Sequence, residues 1–188
     1  MLTEIQVRAT SRDYEALPEG APYQLIDGEL ILTPAPDFHH QEIIFEFSFQ
    51  LASYLRRNKI GRAVMSPVDV ILDDHNAYQP DVIFIRSERS YIIKRGRVFG
   101  APDFVMEVLS PGTAEYDLNE KKATYELAGV REYWIVDPME QAIEIFLNRS
   151  SGDAGQSFEL IFSGSKTGEA FSEVLPGFQV SLKELFGA

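Results

Sequence analysis

A glutamate inside an apolar run is the first residue of this sequence that suggests chemistry. Glu107 lies in the segment FVMEVL, residues 104–109, which is apolar on both faces and is typical of a central buried strand. A carboxylate there is costly to bury unless it is paired, protonated or bound to a cation. The alternative is a carboxylate that meets an arginine or a backbone donor at the strand end, because perturbed buried charges are not confined to functional sites.

A cation on Glu107 would need a second carboxylate nearby. Asp103 begins the same strand, but four strand residues span roughly 13 Å, too far for two ligands that each lie about 2.1 Å from one ion. Asp81 follows Gln79-Pro80 and opens the preceding strand, from which it can lie about 5 Å away across a strand pair. The alternative for Asp81 is a turn residue favoured after proline. Asp81 and Glu107 are therefore the candidate metal ligands.

A lysine follows on a predicted helix. The segment TAEYDLNEKKATYELAG, residues 113–129, predicts a helix closed by Gly129. Asp117, Lys121 and Tyr125 recur every four residues and therefore share one face of it. The alternative is an exposed Asp–Lys pair, which contributes roughly a few tenths of a kcal/mol. Taken alone, this helix does not point to chemistry.

The elements that must position these residues follow in the order hairpin, helix, three strands, helix and two strands. YQLIDGELILTP predicts a hairpin that turns at Asp27-Gly28, and HHQEIIFEFSFQLASYLRR predicts an amphipathic helix that Gly61 stops. RAVMSPVDVIL, QPDVIFIR, PDFVMEVLS, EYWIVDP and AIEIFLN predict strands. SSGDAGQ predicts a flexible loop, and the remainder predicts a strand or two and a short helix at SLKELF. This order favours a mixed sheet with helices against it.

The composition narrows the function classes. A length of 188 residues and a hydrophobic content of 45% fit one folded domain, and the absence of cysteine excludes a disulfide framework and a thiolate zinc site. No apolar run is long enough to span a bilayer and no signal-peptide core is found, so we expect a cytoplasmic protein without a membrane partner. The net charge of −12 counts against a protein that coats DNA with a basic face, but not against an enzyme with a small metal-bridged site.

Several strings together resemble the Uma2 family of endonucleases, in the restriction-endonuclease-like or PD-(D/E)xK superfamily. They are QPDVIFI, PDFVMEVLSPGT, DLNEKKATYELAGVREYWIVDP and DGELILTPAP with His40. The resemblance is collinear from about residue 23 to 147, and LPGFQVSLKELF resembles the usual ending of the family. It implies an α/β fold, with a mixed sheet flanked by helices, in a single domain over residues 1–188. Within that domain we expect an N-terminal hairpin extension at about 22–33, a restriction-endonuclease-like core at about 38–148 and a C-terminal extension at about 157–188.

The resemblance also implies a phosphodiesterase site that uses Mg²⁺ or Mn²⁺, and hard carboxylate oxygens select these ions over zinc. Asp81 takes the place of the motif's first aspartate, and Glu107 that of its (D/E) position. The lysine expected two residues later is Leu109 here. Lys121 matches a lysine that the family carries on the next helix, from which a flexible stem can reach a strand.

Supporting residues complete the expected site. Glu29, directly after the hairpin turn, matches a family position and is either a further ligand, a holder of metal-bound water, or a polar strand residue beside a turn. His40 also matches and is either a cap, a packed histidine or a ligand. Asp117 and Tyr125 would support Lys121 from the same helix face.

The leading hypothesis is a metal-dependent DNA endonuclease. The main alternative is a non-catalytic member of the same fold that binds nucleic acid or a protein, which the acidic total and the displaced lysine favour. A third is a metal-dependent hydrolase of another phosphoester. The superfamily resemblance also implies a homodimer, because two strand cuts often need two active sites.

Overall fold

The computed structural model describes residues 8–18, 20–150 and 156–187. The strands in chain order are β1 (Tyr23–Ile26), β2 (Glu29–Leu32), β3 (Gly61–Met65), β4 (Val70–Asp73), β5 (Asn76–Tyr78), β6 (Val82–Arg86), β7 (Ile93–Lys94), β8 (Arg97–Phe99), β9 (Phe104–Val108), β10 (Glu132–Asp137), β11 (Ala142–Ser150), β12 (Gln156–Ser165), β13 (Glu169–Phe171) and β14 (Gln179–Ser181). The helices are α1 (Ser11–Glu15), α2 (Phe38–Arg57), α3 (Ala114–Leu118), α4 (Glu120–Ala128) and α5 (Leu182–Leu185), with a 3₁₀ helix at Ser87–Ile92.

The strands form two six-stranded sheets and a short pair. The first sheet has the order β2-β1-β5-β4-β8-β7, the second has the order β12-β11-β10-β9-β6-β3, and β13 pairs with β14. In each large sheet one pair is parallel, β4–β8 in the first and β9–β10 in the second, and the other pairs are antiparallel. The predicted mixed α/β architecture is confirmed, but with two large sheets in place of one.

Strand β9 is buried along its whole length because both faces of the second sheet are covered. Its residues Phe104, Met106 and Val108 join a core cluster with the apolar side of α2 and with the C-terminal residues. Val105 points into a second cluster that includes Tyr125 of α4 and residues of the first sheet. Side chains alternate along a strand, so Glu107 faces the α4 side together with Val105.

The predicted hairpin is found, with Asp27 (φ 49°) and Gly28 (φ 80°) at its turn. It is not a separate appendage, because β1 also pairs with β5. The first long helix ends at Arg57, before the predicted stop at Gly61. Gly61 instead opens β3, where a Cβ atom would lie 2.3 Å from the carbonyl oxygen of Ile85 on the neighbouring strand. Its small size therefore serves a close strand contact.

Three further predictions differ from the structure. The stretch RAVMSPVDVIL forms β3 and β4 in different sheets, interrupted at Ser66-Pro67, because proline cannot donate a ladder hydrogen bond. The single helix predicted over residues 113–129 is broken at Asn119 (φ −120°, ψ −86°) into α3 and α4. The C-terminal part contains three strands, β12 to β14, before α5.

The loop predicted at SSGDAGQ lies outside the described residues, except for its first and last positions, which end β11 and begin β12. Across residues 8–18, 20–150 and 156–187, no helix combines the length and apolar character needed to cross a membrane.

Candidate active site

Asp81 and Glu107 meet across the β6–β9 strand pair. The antiparallel register places Val82 opposite Met106. Asp81, which precedes Val82, therefore lies opposite Glu107, which follows Met106. Each carboxylate accepts a hydrogen bond from the backbone of the opposite strand. Asp81 Oδ2 accepts one of 2.8 Å from the N–H of Val108, and Glu107 Oε2 accepts one of 3.3 Å from the N–H of Asp81. Two carboxylates are thereby fixed side by side, as the strand spacing predicted.

Three residues of α3 and α4 form a connected cluster with Glu107. Glu107 Oε1 accepts a 2.8 Å hydrogen bond from the Tyr125 hydroxyl and lies 3.2 Å from Lys121 Nζ. Lys121 Nζ also lies 2.7 Å from Asp117 Oδ1. All of these side chains except that of Asp81 are almost fully buried. The predicted common face of Asp117, Lys121 and Tyr125 is present although the helix is broken between them.

The electrostatics of this cluster are unbalanced. Burial raises the pKa of Glu107 to about 8, with the charges of Asp117 and Asp81 adding to the rise and Lys121 opposing it. Burial by itself would lower the pKa of Lys121, but the carboxylates of Glu107 and Asp117 raise it above its usual value, so Lys121 stays protonated. Three carboxylates and one ammonium group give these four side chains an excess of two formal negative charges, and a proton on Glu107 removes only one of them. The ammonium group contacts Glu107 and Asp117, whereas Asp81 lies against His40.

His40 contacts the same pair of strands from the first turn of α2. Asp37 caps this helix by accepting a 2.8 Å hydrogen bond from the N–H of His40. The His40 Nε2 atom lies 3.0 Å from the Val108 carbonyl oxygen and 3.4 Å from Asp81 Oδ2. Burial lowers the pKa of His40, but its hydrogen bond to Asp81 and the charge of that residue outweigh burial, so the net shift is upward. His40 is thus packed against a candidate ligand.

A cavity of about 600 Å³ opens onto these residues. Asp81, Glu107, His40, Asp117 and Lys121 all line it. Its remaining wall includes the Pro-rich segment before α2, the turn between β9 and α3, and residues 20–22 and 66–67. The Asp81 side chain is 14% exposed, against 3% for that of Glu107, so Asp81 is the more accessible carboxylate.

Glu29 is the predicted supporting residue that does not join the others. It lies at the start of β2 opposite Ile26, is exposed, and does not line the cavity. Of the alternatives that the sequence left open, a polar strand residue beside a turn describes this placement. The turn at Asp27-Gly28 carries Glu29 away from the β6–β9 strand ends.

Asp103, excluded as a ligand by its distance along the strand, has other partners. Its carboxylate accepts a 2.9 Å hydrogen bond from the backbone N–H of Arg86 and lies 3.1 Å from Arg89 Nη1. The neighbouring strand carries another buried acid, Glu132, which accepts hydrogen bonds from Trp134 Nε1 and from the N–H groups of residues 173 and 174. Neither acid lines the cavity of about 600 Å³.

The sequence analysis missed the hydroxyl groups that hold Asp117. Thr113 donates a 3.0 Å hydrogen bond to Asp117 Oδ2, and its hydroxyl lies 2.9 Å from that of Ser110. Both residues line the cavity. They lie in SPGT, one residue after the end of β9. Threonine four residues before an aspartate on a helix was the available signal.

The donor set fits a hard divalent cation. Among the described residues, no three His, Asp or Glu side chains form a preformed metal cluster. Mg²⁺ is commonly held by one or two carboxylates, with water and substrate phosphate as the other ligands, and Asp81 and Glu107 supply that number. A divalent cation would also balance the two uncompensated negative charges of the cluster.

In this mixed α/β fold, two paired carboxylates and a lysine lie beside an open cavity. Residues 11–183 match the Uma2 family, described as "Putative restriction endonuclease". The chain therefore belongs to the Uma2 family.

The fold is shared with a crystal structure from Anabaena variabilis described as "a putative nuclease belonging to DUF820". The TM-score is 0.74 at 22% sequence identity, over 95% of this chain and 97% of that chain. No curated protein sequence matches this chain closely enough to be counted as a relative.

Proposed function

We propose that this protein is a Mg²⁺- or Mn²⁺-dependent endonuclease that hydrolyses phosphodiester bonds in DNA. The observation that carries the proposal is the cluster of Asp81 with the buried residues Glu107, Asp117 and Lys121, in which three carboxylates lie with one lysine beside an open cavity. Membership of the Uma2 family and the fold shared with a protein described as a nuclease support the same chemistry.

Asp81 and Glu107 would hold the cation, since both line the cavity and their carboxylates are fixed side by side by the exchanged hydrogen bonds. A divalent cation there would polarise a phosphate oxygen and lower the pKa of a bound water molecule. An acidic protein needs such a charge to accept a polyanionic substrate.

Lys121 would orient the attacking water or neutralise charge on the phosphorane. Lys121 does not lie on β9, but Asp117 of α3 and Glu107 of β9 hold its ammonium group in place. Thr113 in turn fixes Asp117 through a 3.0 Å hydrogen bond, and Tyr125 fixes Glu107. A lysine at position 109 would be held two residues from Glu107 by the strand itself, and these contacts would position Lys121 instead.

His40 is assigned a positioning role. Its Nε2 atom contacts Asp81 and the Val108 carbonyl, so it fixes the strand ends that carry the carboxylates. A neutral or charged imidazole at this place would change how strongly Asp81 binds a cation.

The direct test is a cleavage assay with supercoiled plasmid and single-stranded DNA, with Mg²⁺, with Mn²⁺ and with EDTA. We expect metal-dependent cleavage that Asp81→Asn and Glu107→Gln abolish. Glu132→Gln is the matched control, since Glu132 is also a buried acid in the second sheet but lies outside the cavity. Cleavage that persists in Asp81→Asn and Glu107→Gln would be contamination and would refute the proposal.

Calorimetric titration with Mn²⁺ gives a readout that does not need activity. Binding by the wild type and by Glu132→Gln, but not by Asp81→Asn, is expected. DNA binding without cleavage, at any cation concentration, would favour the alternative of a non-catalytic binding member, which the net charge of −12 and Leu109 at the usual lysine position support. The homodimer and the cytoplasmic location stay predictions.

A further inference from the structure

A second cavity continues the candidate active site toward the β7–β8 hairpin. Its volume is about 590 Å³. It shares four lining residues with the first cavity, namely Gly20, Ala21, Pro67 and Gln79. The shared residues border both cavities, so the two cavities adjoin, and together they are called the groove below. Asp81 lines one end of this groove and Arg95 lines the other.

The far end of this groove is a basic turn in an acidic protein. The hairpin pairs Lys94 with Arg97 and turns at Arg95 (φ 53°) and Gly96 (φ 77°). Arg95, Gly96 and Arg97 line the second cavity, and Lys94 and Arg95 are exposed. The sequence analysis did not single out this KRGR stretch, although it places three cations within four residues.

The cations of this turn are not equivalent. Arg97 Nε lies 3.0 Å from Asp69 and Arg97 Nη1 lies 3.4 Å from Glu15, so this guanidinium is committed to the protein. Lys94 and Arg95 form no ion pair with any residue in the described parts of the chain. They are therefore the cations that a ligand in the groove can use.

The wall between the two ends includes Asp69, whose charge is only partly offset. Arg97 contacts both Asp69 and Glu15, and one guanidinium balances one of these two carboxylates. The Asp69 Oδ1 atom also accepts hydrogen bonds from the Tyr14 hydroxyl at 2.8 Å and from Gln79 Nε2 at 3.0 Å, and Pro67, Val68 and Leu17 add apolar surface. A polyanion in the groove is therefore attracted at the basic turn, where Lys94 and Arg95 are exposed.

We infer that the groove from Asp81 to Arg95 binds the sugar-phosphate backbone of the DNA strand that flanks the scissile phosphate, with Arg95, assisted by Lys94, as its phosphate contact. The inference rests on the proposed function for the identity of the strand that enters the groove. It accounts for how a chain of net charge −12 can retain DNA: only a local basic turn meets the phosphates, and the rest of the surface is repelled.

The test is DNA binding measured by fluorescence anisotropy with labelled oligonucleotides, in Ca²⁺ to slow cleavage. Arg95→Asn removes the charge, and asparagine tolerates the positive φ of this position. Lys166→Asn is the matched control, because Lys166 also has a positive φ (67°), also loses one charge, and lines neither cavity. The double variants Lys94→Gln/Arg95→Asn and Lys166→Asn/Lys183→Gln extend the comparison to two charges.

We expect Arg95→Asn to raise the dissociation constant about threefold to tenfold for every DNA sequence, and to reduce the slope of log K against log salt by about 0.7 for single strands or about 0.9 for duplex DNA. The double variant at positions 94 and 95 should show a larger loss. The control variants should bind as the wild type does, and equal melting temperatures would confirm that all variants fold.

The outcomes separate this inference from the proposed function. If Arg95→Asn and Lys166→Asn bind equally, or if no DNA binds at all, the groove assignment is overturned, whatever the cleavage assay shows. If Arg95→Asn alone weakens binding while the wild type does not cleave DNA, the groove stands and the catalytic proposal fails. Cleavage by the wild type with weaker binding by Arg95→Asn supports both.

Discussion

The parallel strands β9 and β10 carry buried acids at both ends, and the two ends differ in what surrounds those acids. At the amino end, protein donors supply partners to Asp103 and Glu132: two arginines, an indole N–H and three backbone N–H groups. At the carboxyl end, Glu107 shares a single lysine with Asp117, and Asp81 lies beside Glu107 across the strand pair, next to a cavity of about 600 Å³.

The difference shows that burial of a carboxylate does not by itself identify a functional site. Burial raises the pKa of Glu132 as well as that of Glu107. Glu132 is nevertheless fully hydrogen-bonded and closed off, so it fastens the C-terminal segment to the sheet. The excess of negative charge beside open space is what sets the Glu107 end apart, since only there can a cation from solution complete the balance.

The largest expected effect comes from replacing Lys121 at the carboxyl end, and replacing Arg89 at the amino end is its comparison. Lys121→Met should lower the cleavage rate at least about 100-fold, because the charge that faces the reacting phosphate is lost. Arg89→Met, at the Asp103 end, should leave the cleavage rate per folded molecule unchanged. Rates at saturating DNA check this, and a Lys121→Met protein that cleaves at the wild-type rate would remove the functional distinction between the ends.

Truncating an acid at each end should change the free energy of unfolding by different amounts. Asp103→Ala leaves two partly buried arginines without their counter-charge and should cost about 2–4 kcal/mol in the free energy of unfolding. Asp81→Ala without divalent cation should cost less than that or be stabilising, because it relieves the excess negative charge around Glu107. Urea unfolding in EDTA measures both, and a larger loss for Asp81→Ala would contradict the assigned charge imbalance.

A divalent cation should stabilise the protein only through the Glu107 end. At a Mg²⁺ concentration ten times its dissociation constant, the gain is about 1.4 kcal/mol. The gain should grow between pH 6 and pH 8, because the cation must displace the proton that the raised pKa of Glu107, about 8, retains. Thermal unfolding of the wild type and of Asp81→Asn tests this, and equal stabilisation of both would exclude Asp81 as a ligand.

Stability should also depend on pH when no divalent cation is bound. The folded pKa of Glu107, about 8, lies above its ordinary value of 4.5, so its contribution to stability is present below about pH 4.5 and is lost as the pH rises toward 8. Glu132 contributes a slope of the same sign, and one proton changes stability by at most about 1.4 kcal/mol per pH unit.

Mg²⁺ distinguishes the two contributions. Mg²⁺ should reduce the pH dependence of the unfolding free energy that Glu107 causes, which Glu107→Gln also removes. It should not change the pH dependence that Glu132 causes, which Glu132→Gln removes. Unfolding free energies measured at several pH values, with EDTA and with Mg²⁺, provide the comparison. If Mg²⁺ flattens the Glu132 part as well, the two ends are not independent.

Much of the site could be predicted because strand geometry is local and regular. Glu107 stood out as a charge in a fully apolar run, and the roughly 5 Å spacing of paired strands selected Asp81 over Asp103. The helix period of Asp117, Lys121 and Tyr125 gave their common face, which survived the break at Asn119 because residues on both sides still turn toward Glu107.

Other features depended on contacts between distant parts of the chain. Sequence alone could not divide RAVMSPVDVIL between two sheets, because an apolar run does not reveal its pairing partners. Nor could it place Glu29, whose distance from the cavity follows from the way β1 pairs with β5. The role of Gly61 was also hidden, since its close approach to Ile85 exists only in the folded sheet.

The sequence by itself determined which side chains must share a face or a strand end, because backbone periods of two and 3.6 residues act over short distances. It thereby selected the carboxylate pair, whereas the choice of Lys121 and the family came from the resemblance of several strings to the Uma2 family. Only the tertiary structure decided that one end of β9 is closed by arginines and backbone donors while the other opens onto a groove. That distinction arises from strand pairing and side-chain packing across the whole chain, which set the solvation and the charge balance of each buried acid.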